Sequence, residues 1–308
     1  MQDPIYNRIV NMKRPSVFAA SGLVLLSAIG LWASSLAASL LPADSDSALT
    51  AVNLIYYLPF VLLPIALYAR RHPGLSGGMR LNPLPVFPTL LLAALALNSV
   101  YLASALAAVW EAGLNALGLH GPAVAALPDT KQEVAMSILT LAALPAVCEE
   151  LLFRGFVLSA WESRGTAFAV GVSAGMFALL HSNLYGLPAY LLVGAVAGYV
   201  TWSLDSVYAG IVYHTIYNAA CLVIPWLLSG ESTAEVAVTG SMAFTLILDA
   251  AVLAAMSAML LMSLRLRARS RGLVPIPRIR RPLERRDKVM LAAALLTMAA
   301  STVIVLAV

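Results

Sequence analysis

The stretch AVCEELLFRG, residues 146–155, sets two adjacent glutamates and an arginine inside a long apolar run. A charge at the centre of a membrane helix costs about 2.5–3.5 kcal/mol on insertion scales, so three unpaired ones would cost roughly 8–10 kcal/mol. Glu150 and Arg154 stand four residues apart, on one helix face, and can neutralise each other. Glu149 lies about 100° further round the helix and has no partner nearby in the sequence. It is the natural candidate for chemistry, because an intramembrane carboxylate is a functional residue by default. Downstream, FALLH (177–181) and HTIYN (214–218) repeat the four-residue spacing with His181, His214 and Asn218. A carboxylate, two imidazoles and a carboxamide are the groups needed to activate water and hold an oxyanion. A histidine or asparagine on such a helix also has a plainer use, bonding to a neighbouring helix.

The helices that carry these groups follow from composition. Apolar residues make up 61% of the 308 and charged residues only 11%, with a mean hydropathy of +0.87. This excludes a soluble core and predicts an all-α, polytopic transmembrane helix bundle of about eight to nine spans. Candidate spans lie at about 16–41, 51–69, 86–109, 134–161, 166–183, 187–204, 206–229, 241–264 and 289–308. The first is longer than the apolar region of a signal peptide and is read as a span. The two cysteines, Cys148 and Cys221, both fall in apolar runs and imply no disulfide framework.

Charge fixes an orientation. Arg8, Lys13, Arg14, Arg70, Arg71, Arg80 and Arg164, together with the ten basic residues of 265–288, fall on one side of a nine-span chain. The other side holds mainly acidic residues, with Lys131 the exception. The N-terminus is therefore expected in the cytoplasm and the C-terminus outside, with the protein in the plasma (inner) membrane. The Arg-rich loop reads as an anchor on anionic lipid, not as a nucleic-acid site. The expected organisation is spans 1–3 over 1–133, a four-helix catalytic core of spans 4–7 over 134–229, and spans 8–9 with the basic loop over 230–308.

Depth supports a single site. Counted from the cytoplasmic loops at 1.5 Å per residue, Glu149 and Asn218 lie at about 20 Å, His181 at about 25 Å and His214 about 6 Å shallower than Asn218. Asp249, in TLILDAAV on span eight, has no polar companion and is given no role.

These motifs resemble those of the CPBP family of intramembrane proteases, which includes the CAAX prenyl endopeptidases and bacteriocin-processing proteins. EELLFR at 149–154, FALLH at 177–181 and HTIYN at 214–218 match its patterns in order and spacing, over roughly residues 134–229. The resemblance implies an intramembrane endopeptidase in which Glu149 and His181 activate water. His214 and Asn218 would hold the oxyanion or contribute to a polar or metal-binding centre, with Glu150 and Arg154 as a supporting pair. It also implies a membrane-associated peptide or protein substrate, prenylated or leader-bearing. The expected chemistry needs no obligatory cofactor. Zinc or another divalent metal on Glu149, His181 and His214 is the alternative, although no H-E-x-x-H pattern is present.

Other readings compete. GVSAG, 171–175, fits G-x-S-x-G, but Ser173 and His181 are about 12 Å apart along one helix. Ser173 with His214 stays open. The simpler reading is a small-residue packing face, Gly171 to Gly175, echoed by Gly194 to Gly198. A proton-coupled transporter or a non-catalytic immunity or scaffold protein would use the same polar residues without hydrolysis.

Overall fold

A computed structural model describes residues 13–40, 46–75, 77–121, 128, 130–228, 251, 253–266 and 282–307. Among them the regular structure is helical, with no strand. Helix α1 is Val17–Ala38, opened by the Ser16 side chain accepting from the amide of Ala19. Helix α2 runs as Asp46–Tyr57, a π-helical Leu58–Leu62 and then Leu63–Arg71. Helix α3 is Val86–Ala116. Helix α4 starts on a capping box between Thr130 and Glu133 and extends to Arg164 through Lys131–Ser137, π-helical Ile138–Ala143, Leu144–Glu150 and π-helical Leu151–Leu158. Helices α5 (Thr166–Leu180), α6 (Leu187–Leu204) and α7 (Val207–Leu228) follow through short turns. Helices α8 (Leu253–Leu266) and α9 (Arg285–Ala307) complete the set.

Six of these helices are long and apolar enough to cross a membrane, and α5 and α8 are shorter apolar helices. The protein is an integral membrane protein. Large apolar side chains such as Leu90, Val109 and Leu296 stand outward, which costs nothing against acyl chains. Asp249 and most of the 265–288 loop lie outside the described residues.

Two of the π-helical stretches immediately precede Leu-Pro, at Pro64 and Pro145. Proline removes an amide donor and pushes away the carbonyl four residues earlier, and a wider turn absorbs that displacement without breaking the helix. The glutamate pair therefore sits on a short α-helical segment between two π-helical ones, and both side chains face inward, Glu149 6% exposed and Glu150 fully buried.

One apolar core joins α1, α2, α4, α5 and α9 around Phe153, Phe156 and Phe177. A second joins α3, α6 and α7, with Leu264 of α8. Helix α6 lies along α5, and here the glycines differ from expectation. A Cβ on Gly194 would press on Ala174 and Phe177, and one on Gly198 would touch Val170, so the α6 glycines do permit close packing. A Cβ on Gly171 or Gly175 would meet nothing within 4 Å. The α5 side of this contact is made by Val170 and Ala174, one helical step away from the expected Gly171 to Gly175 face.

Candidate active site

Five helices converge on a cavity of about 320 Å³, lined by Glu149 of α4, Phe177 of α5 with His181 at its C-terminal cap, Tyr190 of α6, and His214 and Asn218 of α7. Helix α2 adds Asn53 and Tyr57. All four residues expected to carry the chemistry thus meet in one place.

Each is held differently. Glu149 Oε1 accepts a 2.6 Å hydrogen bond from the Tyr57 hydroxyl. Its other oxygen, Oε2, is buried without a hydrogen-bond partner among the described residues, 3.9 Å from His214 Nε2. That separation is too long for a direct bond, yet one water could contact both atoms. His181 places Nδ1 2.7 Å from the Phe177 carbonyl. A carbonyl only accepts, so Nδ1 carries the proton and Nε2 of the neutral ring is left as an acceptor. The ring also stacks on Tyr190, with centroids 4.0 Å apart and planes 23° apart.

His214 is oriented by Glu150. Its Nδ1 lies 3.0 Å from Glu150 Oε1, and the same oxygen accepts from Arg154 Nη1 at 2.7 Å. Arg154 is fully buried, donates from Nη2 to the Gly194 carbonyl at 2.8 Å, and lays its guanidinium 4.7 Å from the Phe177 ring centre. The supporting pair expected from i,i+4 spacing is present, and it extends to a triad that turns His214 Nε2 toward Glu149. Gly210 makes room for it, because a Cβ there would collide with Glu150 Oε2 and Thr201 Oγ1. Phe177 touches both histidines, with ring centroids 4.6 Å from His181 and 5.5 Å from His214. The motif phenylalanine is the packing wedge between them.

Ser173 takes no part. It is fully buried, donates to the Phe153 carbonyl at 2.9 Å and does not line the cavity, which removes the serine reading with His214. Among the described residues no three His, Cys, Asp or Glu side chains gather as a metal-ligand set.

Tyr57, Asn53, Tyr190 and the Glu150–His214 contact were not anticipated from the sequence. Only Tyr57 had any signal, as part of an aromatic pair in the span before a proline.

Residues 131–220 match the family model described as Type II CAAX prenyl endopeptidase Rce1-like. This is the segment that carries all three motifs, and the match agrees with the CPBP and CAAX resemblance they show. No curated protein and no solved structure matches the chain.

Proposed function

We propose that the protein is an intramembrane endopeptidase that hydrolyses a peptide bond of a membrane-associated substrate with water activated by Glu149. The observation that carries this reading is the open side of Glu149. Its Oε1 is fixed by Tyr57, while Oε2 is buried beside His214 Nε2 in a cavity shared with His181 and Asn218. The Rce1-like family match over these helices supports a protease.

In the proposed reaction Glu149 Oε2 takes a proton from water as its oxygen attacks the scissile carbonyl carbon. His181, with Nδ1 tied to the Phe177 carbonyl, accepts at Nε2 and aligns that water. The carbonyl oxygen becomes an oxyanion held by the Asn218 amide, a donor positioned before the reaction begins, and by His214 Nε2 in the form of the ring that carries both protons, with Nδ1 donating to Glu150. The C–N bond then breaks, and the proton on Glu149 passes to the departing amine. Glu150 and Arg154 position His214 and do not touch the substrate. No step requires a cofactor; were a divalent metal used, Glu149, His181 and His214 would be its ligands and it would polarise the same water.

The test is a comparison of membrane proteomes from cells carrying the native protein and Glu149→Gln. A substrate that persists uncut only in the variant supports the reading. Identical cleavage fragments in both would contradict it.

A further inference from the structure

Charge and packing along the helices mark the side of the membrane from which the cavity is reached, given the protease reading above. Helices α1 and α9 run parallel: the Arg286 guanidinium lies 6.0 Å from the Phe18 ring, Gly22 faces Met290, and Trp32 hydrogen-bonds Ser301. Both therefore begin at the end of the bundle where Arg14 and Arg286 stand. The same end holds Arg70 and Arg71 at the close of α2, and Arg164 at the close of α4. There Arg14 and Arg80 pair with Glu162, and Arg80 also pairs with Asp205 in the α6–α7 turn. The positive-inside rule makes this basic end cytoplasmic.

Most of the cavity lies in the opposite half. From the basic ends of their helices, at 1.5 Å per residue, Asn53, Glu149, His181, Tyr190 and Leu222 are removed by between about 20 and 27 Å, and Phe177 and Asn218 by about 16 Å. His214 is the deepest lining residue, at about 10 Å. Below it the bundle is filled. Arg154, Phe153 and Phe156 are fully buried. Beneath them the segment between α2 and α3 inserts Leu75, Met79 and Arg80, with Met79 against Gly155 and Arg80 bonded to Ser159.

We infer that substrate reaches Glu149 from the non-cytoplasmic side. The substrate class is then a membrane-anchored polypeptide whose scissile bond lies on the translocated side or in the outer half of the bilayer, rather than the cytoplasmic C-terminus of a prenylated protein.

A native reporter is at hand. Cys148 is buried, whereas Cys221 lines the cavity. Intact cells and inverted membrane vesicles holding the full-length protein are treated with a charged, membrane-impermeant methanethiosulfonate, and modification of Cys221 is read by mass. Asn53→Cys and Leu222→Cys, each in Cys221→Ala, give two further cavity positions, and His72→Cys in the same background reports the basic end. The inference expects cavity cysteines to react at least tenfold faster in intact cells, and His72→Cys to react only in inverted vesicles. Faster reaction in inverted vesicles, or no reaction of any of the three cavity positions in intact cells, overturns it. The readout is access, not cleavage. A cavity open outside in a chain that cuts nothing removes the protease reading alone, and a working protease labelled only from the cytoplasmic side removes this inference alone.

Discussion

The Tyr57 hydroxyl donates to Glu149 Oε1 at 2.6 Å, across 92 positions of chain and from a different helix. It is the only hydrogen bond the described protein groups make to that carboxylate, so it decides which way the second oxygen points.

Tyr57→Phe keeps the ring and its packing and deletes only this bond. A hydrogen bond to a charged group is worth about 1.5–3 kcal/mol, so losing it should lower the melting temperature modestly and, by freeing Glu149 to rotate, lower kcat roughly 10-fold or more with KM little changed. Steady-state kinetics on the purified variant decides it. An unaltered kcat would mean that Glu149 is oriented by something else.

Glu150 and Arg154 should behave differently from Glu149. Removing one partner of a buried, hydrogen-bonded pair typically costs about 3–5 kcal/mol. Arg154→Ala also removes the hydrogen bond to the Gly194 carbonyl, and Glu150→Gln loosens His214. Both variants should show lower folded yield and melting temperature in detergent than Glu149→Gln. Equal values for all three would count against the triad as a structural unit.

The legible part of this site was its local part. Spacing of four residues put Glu150 beside Arg154 and placed His214 and Asn218 on one face, because a helix repeats at that interval wherever it sits. Composition and charge gave the helices, since a span must be predominantly apolar and basic residues collect at its cytoplasmic end. What spacing does not encode is which helices touch. Tyr57 is separated from Glu149 by a whole helix, and nothing in LIYYLP distinguishes it from Tyr56. The share of Glu150 taken by His214 likewise depends on the close approach of α7 that Gly210 permits. The GxxxG-like spacing at Gly171 and Gly175 misled for the same reason, as a small residue permits contact without specifying it.

Activity should survive extensive chelation. The candidate donors include an asparagine amide, and no three of the described His, Cys, Asp and Glu side chains are placed to hold a metal ion. An assay in excess chelator is expected to retain most turnover. Full loss, restored by stoichiometric zinc, would replace water activated by Glu149 alone with a metal mechanism.

The central claim is that Glu149 and His181 act together on one water. The direct measurement is cleavage of an identified substrate by purified, reconstituted protein carrying Glu149→Gln, His181→Ala, or both, with the fold checked by melting temperature. Each single variant should abolish turnover, and the double variant should be scarcely worse than either, because residues serving one step lose their effect together. Asn218→Ala should retain a small residue of activity. Substantial cleavage by Glu149→Gln, in a preparation free of other proteases, would contradict the account.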